Sequence, residues 1–298
     1  MVGDPEGPQG MRQVKLFLDM IKFEHTVFAL PFAYLGMILA EGGWPSLKVF
    51  FWITIAMASA RTYAMALNRL VDLPFDARNP RTASRPLVTG ALRPAVAWGA
   101  VFLSLGIFLL SAYRLGPLPF KLSPIALLFL TGYHYTKRFT WTSHFILGFT
   151  DGLAPLGAWM AVRGSIFTSE DLPAWVLLFA VTFWIAGFDL IYACQDVEVD
   201  RREGLKSIPA RFGVDVALKL SSLCHILMVA GLVFLGLNLT LGLIYWIGVS
   251  LTGIMLVYEH LIVKPGDLSR LNVAFFNVNG YISVLLFFST LGAILLGR

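Results

Sequence analysis

The chain has 298 residues, of which 57% are hydrophobic and only 14% are charged, whereas a soluble globular domain carries about 25% charged residues. This composition excludes a disordered chain, a nucleic-acid-binding arm and an ordinary cytosolic enzyme. The formal net charge of +5 fits basic loops that face anionic lipid or phosphate.

Nine apolar runs follow one another along the chain, most of them close to the roughly 20 residues that a helix needs to cross a bilayer. The runs are 23–42, 47–68, 95–113, 122–136, 144–163, 173–195, 217–237, 240–262 and 272–296. They predict an all-α polytopic membrane protein with about nine transmembrane helices in a single domain, residues 1–298. Residues 1–14 are predicted to be a flexible cytoplasmic N-terminus. They lack the basic region and the cleavage site of a signal peptide, so the first apolar run is predicted to be retained as a membrane helix.

The basic residues predict how these helices are oriented. With the N-terminus in the cytoplasm, seventeen of the 23 Lys and Arg residues lie on the cytoplasmic side and five on the opposite side. Cytoplasmic loops of membrane proteins carry such an excess of Lys and Arg. The sequence therefore predicts a multi-pass protein of the cell inner (plasma) membrane, whose N-terminus and longest charged loops are cytoplasmic.

Two of these cytoplasmic loops contain the same pattern of two Asp residues four positions apart. Asp72 and Asp76 follow the second predicted helix, Asp196 and Asp200 follow the sixth, and a basic stretch comes after each pair. Carboxylates at this spacing share a helix face, and the negative end of the helix dipole adds to their repulsion. Mg²⁺ would offset that repulsion, since it binds one or two carboxylates together with substrate phosphates. The alternative is a pair of solvated loops whose acids pair with nearby Arg side chains.

Two further ionisable residues, Arg61 and Asp189, lie within predicted membrane helices. Charges inside a membrane are costly and are candidates for a functional site. The five His residues have no metal-binding spacing, and Cys194 and Cys224 lie in apolar runs. Neither residue type therefore predicts a metal site or a disulfide.

Around these charged residues the sequence resembles the UbiA-type superfamily of intramembrane prenyltransferases, in particular its 4-hydroxybenzoate polyprenyltransferase-like subgroup. The matching motifs are Asn68-x-x-x-Asp72-x-x-x-Asp76 with Arg-Thr-Ala-Ser-Arg-Pro-Leu from Arg81, Tyr133-x-x-x-Lys137-Arg138, and Asp189-x-x-Tyr192-x-x-x-Asp196-x-x-x-Asp200. The resemblance covers about residues 15–296. It implies nine helices around a central cavity with a lateral opening to lipid.

The resemblance also implies a role for each matching residue. The implied ligands of Mg²⁺, two ions in all, are Asn68, Asp72, Asp76, Asp196 and Asp200. The implied contacts to the diphosphate are Lys22, Arg78, Arg81, Tyr133, Lys137, Tyr192 and Lys206. The implied acceptor-binding residues are Arg61 and Arg138. The implied catalytic residues are Asp72, Asp196 and Asp189, and either of the last two is a candidate base.

The implied activity is transfer of a polyprenyl group from polyprenyl diphosphate to an aromatic acceptor, with release of diphosphate. A carboxylate-bearing phenol such as 4-hydroxybenzoate, a precursor in ubiquinone-type quinone synthesis, fits Arg61. An acceptor of menaquinone synthesis, from the futalosine route or dihydroxynaphthoate, is the alternative. A membrane transporter would also explain a duplicated half with intramembrane charges. Beyond the two substrates and the lipid bilayer, neither nucleic acid nor an obligate protein partner is expected.

Overall fold

A computed structural model describes residues 9–21, 23–271 and 273–297, and every secondary-structure element among them is helical. Seven helices in this part of the chain are long and apolar enough to cross a membrane. This confirms the prediction of an all-α polytopic membrane protein. Each of the nine predicted apolar runs coincides with one helix, but the exact count of nine spans stays a prediction. Lys22 lies outside the described residues.

The described part of the chain contains thirteen α-helices. They are α1 (Gln9–Ile21), α2 (Phe23–Glu41), α3 (Leu47–Val71), α4 (Leu73–Asp76), α5 (Pro94–Leu115), α6 (Pro117–Thr136), α7 (Ser143–Arg163), α8 (Leu172–Ala193), α9 (Val197–Arg202), α10 (Ile208–Phe212), α11 (Val214–Asn238), α12 (Leu243–Ile262) and α13 (Asn279–Leu296). Short 3₁₀ turns precede and follow α8, and a π-helical turn, Val273–Val278, leads into α13. Residues 9–14, predicted as part of a flexible terminus, are helical in α1.

The fourth predicted run, 122–136, is part of a longer helix. α6 begins at Pro117, where proline's fixed φ and missing N–H suit the first helical position. Gly116 precedes it with a φ of 134°, a conformation that favours glycine. The apolar count missed this first turn because Lys121 and two prolines interrupt the hydrophobic run.

Both acidic pairs lie across a break in the helix, which corrects the prediction that they share one helix end. α3 ends at Val71, and Asp72 is the N-cap position of the short α4. Asp196 is likewise the N-cap position of α9, beyond the end of α8. Asp72 is thus both the C-cap of α3 and the N-cap of α4, and neither acidic pair lies on one continuous helix.

Helices α7 and α8 pack closely through two glycines one turn apart. A Cβ atom at Gly148 would collide with the Thr182 carbonyl oxygen, and one at Gly152 would lie 2.6 Å from the Leu178 carbonyl oxygen. Lipid tails are as apolar as Leu, so membrane helices associate through such small residues rather than through hydrophobic burial. This G-x-x-x-G contact determines the distance between α7 and α8.

Gly148→Ala is expected to destabilise the protein, because the added methyl group has no space between α7 and α8. Overpacking of this kind costs about 1–3 kcal/mol, more than the roughly 1 kcal/mol that alanine gains over glycine in a helix. The matched control is Gly106→Ala on α5, where the added Cβ meets open space. Thermal unfolding of the purified variants in detergent measures both changes. Equal midpoints for the two variants would contradict the close packing.

Candidate active site

A cavity of about 1160 Å³ lies among the helices, and α3, α6, α7 and α8 contribute most of its wall. Its polar lining includes Arg61, Asn68, Arg69, Asp72, Arg81, Tyr133, His134, Lys137, His144, Asp151, Asp189, Tyr192 and Asp196. Apolar side chains such as Met57, Phe129, Trp184 and Phe188 line the remainder. The cavity therefore joins a charged end, where α3 and α8 terminate, to an apolar interior.

The first acidic segment is held in place by the last turn of α3. The Asn68 amide donates to Asp72 Oδ2 at 2.8 Å, and the Asn68 Oδ1 accepts from Arg69 at 3.2 Å. Arg69 also donates to the Met20 carbonyl oxygen at 3.2 Å, which ties α1 to this turn. Arg69 thus holds the Asn68 amide and Asn68 holds the Asp72 carboxylate, which lines the cavity.

The second acidic segment is bound by the loop that follows the first. Arg81 donates to both carboxylate oxygens of Asp196, from Nε at 3.1 Å and from Nη2 at 2.8 Å. Its remaining nitrogen, Nη1, donates to the Tyr192 hydroxyl at 3.0 Å, and the Asn79 amide donates to Asp196 Oδ1 at 3.3 Å. A bidentate pair of this kind is strong and geometrically specific, so it joins the two predicted acidic segments directly.

The second Asp of each pair turns away from the cavity. Asp76 is 8% exposed and pairs with Arg85, while Asp200 is 2% exposed. Asp200 accepts from Lys137 at 2.9 Å and from the Ser207 hydroxyl at 2.6 Å. Neither carboxylate lines the cavity, and no group of three or more Asp, Glu, His or Cys side chains gathers in the described part of the chain. The roles of Asp76 and Asp200 as metal ligands stay predictions.

The predicted diphosphate contacts divide into two groups. Arg81, Tyr133, Lys137 and Tyr192 line the cavity. Arg78 instead pairs with Glu203 at 3.1 Å, and the Lys206 ammonium donates to the Phe139 carbonyl oxygen at 3.1 Å. Arg78 and Lys206 therefore connect loops to one another in this structure.

The surroundings at the charged end of the cavity shift the pKa values of two side chains, Asp72 and Arg81. Burial, together with the neighbouring charge of Asp76, raises the pKa of Asp72 to about 6. Burial alone would lower the pKa of Arg81, but its ion pair with Asp196 raises that pKa above its ordinary value. Two carboxylates in one partly buried site therefore favour a bound cation.

The two predicted acceptor-binding residues occupy different places. Arg61 lies in the cavity wall, two helical turns along α3 from Asn68, and its buried Nε has no hydrogen-bond partner among the described residues. Arg138 does not line the cavity. It donates to the Val71 carbonyl oxygen at 2.9 Å and its guanidinium lies over the Phe75 and Tyr135 rings. The geometry favours Arg61.

The sequence indicated Asp189 as a site residue but not its partner in the cavity wall, His144. His144 Nδ1 is 2.6 Å from Asp189 Oδ2, and both residues line the cavity. The search for histidines tested only metal-binding spacings, whereas this contact joins residues 45 positions apart. The polar residues near the start of the fifth predicted helix, His144 and Asp151, were the only available sequence signal.

Comparison with known proteins identifies the family of the chain. The model of the UbiA prenyltransferase family matches residues 29–290. The 4-hydroxybenzoate octaprenyltransferase of Nitrosospira multiformis is 31% identical over 82% of both chains, and that of Xanthomonas campestris pv. campestris is 35% identical over 76% of this chain and 73% of its own.

Solved structures share the fold. A UbiA homologue from Aeropyrum pernix K1 superposes with a TM-score of 0.82 and 34% identity, covering 89% of this chain and 96% of its own. A UbiA homologue from Archaeoglobus fulgidus bound to GPP and Mg²⁺ has a TM-score of 0.69 and 21% identity, covering 94% of this chain and 99% of its own. From the family match over most of its length, the chain belongs to the UbiA prenyltransferase family.

Proposed function

We propose that this protein transfers a polyprenyl group from polyprenyl diphosphate to 4-hydroxybenzoate in ubiquinone-type quinone biosynthesis. The observation that carries the proposal is the position of Arg61. Its unpartnered, buried Nε lies in the wall of the same cavity that presents Asp72 and Asp196 at its charged end. One cavity thus offers a site for a carboxylate-bearing acceptor, a site for a diphosphate and an apolar interior for the prenyl chain.

The oxygen atoms at the charged end fit Mg²⁺. Asp72 and Asp196 both line the cavity and offer hard carboxylate oxygens. Asn68, whose amide nitrogen donates to Asp72, has an amide oxygen of the same hard type, which accepts from Arg69 in this structure. Mg²⁺ takes one or two carboxylates together with substrate phosphates, and the fold is shared with a homologue bound to GPP and Mg²⁺. We assign one ion to each acidic segment, two in all. Asp76 and Asp200 would join as further ligands by exchanging their present partners, Arg85 and Lys137, for the metal. Bound there, the metal would neutralise the diphosphate and stabilise its departure.

The basic residues at the cavity would hold the diphosphate oxygens. Arg81 is the internal counterion of Asp196 in this structure. A diphosphate offers this guanidinium competing anionic oxygens in a matching bidentate geometry, so Arg81 would turn from Asp196 to the substrate. Lys137, at the end of α6, and the Tyr133 and Tyr192 hydroxyls face the same space. Donors arranged in advance around a leaving diphosphate stabilise the charge that develops on it.

The apolar interior would protect the reactive intermediate. Departure of diphosphate leaves an allylic cation, which the ring carbon next to the phenol hydroxyl attacks. Water would capture this cation, and side chains such as Met57, Phe129 and Phe188 exclude it from the cavity wall. The guanidinium of Arg61 would hold the acceptor carboxylate so that the ring faces the cation.

The membrane setting follows from the distribution of basic residues. The loops after α3, α6 and α8 contain ten of the 23 Lys and Arg residues, and the charged end of the cavity lies beside these loops. By the positive-inside rule, we place the active-site loops and the N-terminus in the cytoplasm and the protein in the inner (plasma) membrane.

Asp72→Asn and Asp196→Asn are expected to lower prenyl transfer about 100-fold or more, the scale of losing one electrostatic contact to a developing charge. Transfer is measured by product mass spectrometry in membranes supplied with Mg²⁺, and chelation with EDTA should abolish it reversibly. Asp215→Asn is the matched control, because Asp215 forms an exposed pair with Lys219 away from the cavity. Full transfer by both cavity variants would disprove the site.

Arg61→Gln is expected to raise the KM for 4-hydroxybenzoate about 10- to 100-fold, because a charge-assisted hydrogen bond is worth about 1.5–3 kcal/mol. The KM for the polyprenyl diphosphate should not change. Steady-state kinetics of Arg61→Gln and Arg138→Gln compare the two predicted acceptor residues. A larger change in acceptor KM for Arg138→Gln than for Arg61→Gln would assign the acceptor carboxylate to Arg138.

The identity of the acceptor is tested by competition. Membranes containing the protein receive 4-hydroxybenzoate, dihydroxynaphthoate and the futalosine-route acceptor together, and the products are identified by mass. A prenylated 4-hydroxybenzoate is the expected main product. A prenylated menaquinone precursor would transfer the proposal to that pathway, and solute flux without diphosphate release would favour a transporter.

A further inference from the structure

Prenylation of an aromatic ring requires a base, and the structure distinguishes the candidate carboxylates. The inference rests on the proposed function, because it concerns the proton that leaves the acceptor ring. Asp72, Asp189 and Asp196 all line the cavity. They differ in what already occupies their oxygen atoms, and a base needs an oxygen that is free to accept a proton.

Asp196 and Asp72 lie at the charged end of the cavity, beside Arg81, Asn68 and Arg138. Both oxygens of Asp196 accept from Arg81, and Oδ1 also accepts from Asn79. Asp72 accepts from the Asn68 amide through Oδ2, and its Oδ1 lies 3.8 Å from an Arg138 nitrogen. Both carboxylates belong to the site that we assign to Mg²⁺, and a metal bound there would occupy their oxygens in place of the present partners.

Asp189 has a different environment. Its Oδ2 is 2.6 Å from His144 Nδ1, and no described residue forms a hydrogen bond with its Oδ1. Its side chain is 24% exposed and faces the cavity, whereas the His144 side chain behind it is 1% exposed. One oxygen of Asp189 is therefore anchored and the other is available to a bound substrate.

The surroundings of His144 determine which nitrogen carries its proton. The Ile208 backbone N–H donates to His144 Nε2 at 3.4 Å. A neutral imidazole that accepts at Nε2 carries its proton on Nδ1, so Nδ1 donates to Asp189. The ring cannot take a second proton at Nε2 without losing the Ile208 hydrogen bond. His144 therefore acts as a fixed donor that orients the carboxylate, and it does not relay the proton.

Arg61, which we assign to the acceptor, and Asp189 line the same cavity. Asp151, two helical turns along α7 from His144, interacts electrostatically with both of them. An acceptor whose carboxylate is bound at Arg61 would thus present its ring to the wall that contains Asp189.

We propose that the Asp189 carboxylate, oriented by the Nδ1–H of His144, accepts the proton that leaves the aromatic ring. The C–O bond to the diphosphate breaks, and the diphosphate leaves with the bonding electrons. The allylic carbon forms a C–C bond to the ring, and the electrons of the ring C–H bond restore aromaticity. The proton passes to Asp189 Oδ1. Asp189 is the catalytic base and His144 is its positioning residue.

The test compares acceptor carrying hydrogen with acceptor carrying deuterium at the two ring carbons beside the hydroxyl. Asp189→Asn should lower kcat about 100-fold or more, the usual contribution of a general base. His144→Phe removes the donor and should lower kcat about 10- to 100-fold while leaving both KM values unchanged. In His144→Phe the deuterium isotope effect on kcat should exceed that of the wild-type protein, because proton removal becomes slower.

Two further variants separate positioning from folding. His144→Asn places an amide donor near Nδ1 and should restore most of the rate and the wild-type isotope effect. His260→Phe is the control, because His260 pairs with His225 away from the cavity, and it should behave as wild type. An unchanged isotope effect in His144→Phe, no recovery in His144→Asn, or near wild-type turnover by Asp189→Asn would each overturn the inference. Absence of transfer by the wild-type protein would instead overturn the proposed function and this inference together.

Discussion

The close approach of α7 and α8 is the contact on which the site depends. Gly148 and Gly152 allow the α7 backbone to lie directly against Thr182 and Leu178 of α8. His144 precedes Gly148 by four residues and so lies on the same face of α7, one turn nearer the start of the helix. At this separation its imidazole reaches Asp189 at 2.6 Å. The close packing of α7 against α8 therefore also determines how the candidate base, Asp189, is oriented.

The ion pair between Arg81 and Asp196 connects the two halves of the charged end. Its partners are 115 residues apart in sequence, and Arg81 bonds both carboxylate oxygens and the Tyr192 hydroxyl. Removing charges from water is costly unless they are paired, and this pair satisfies Asp196 in the absence of substrate. The same guanidinium would bind the diphosphate, so one residue stabilises the free protein and belongs to the substrate site.

The four acidic residues of the repeated motif are not equivalent in this structure. The helix breaks after α3 and α8 place Asp72 and Asp196 at the cavity, and they bury Asp76 and Asp200 against Arg85 and Lys137. The loops thus combine both interpretations of the sequence: one Asp of each pair faces the site, and the other pairs with a nearby cation. Lys137 connects the two roles, since it pairs with Asp200 and also lines the cavity.

Local composition and spacing determined much of this protein from sequence alone. The apolar runs predicted the helices because the backbone must satisfy its hydrogen bonds within a bilayer, and the repeated Asp spacing predicted a charged end at Asp72 and Asp196. The partners of those residues depended on tertiary structure. Neither the pairing of Arg81 with Asp196 nor that of His144 with Asp189 follows a sequence period, because each joins segments distant in sequence that only the packing of the chain brings together. Only the fold showed that Arg61 faces the cavity while Arg138 does not, since a residue number specifies a helix face but not what lies opposite it.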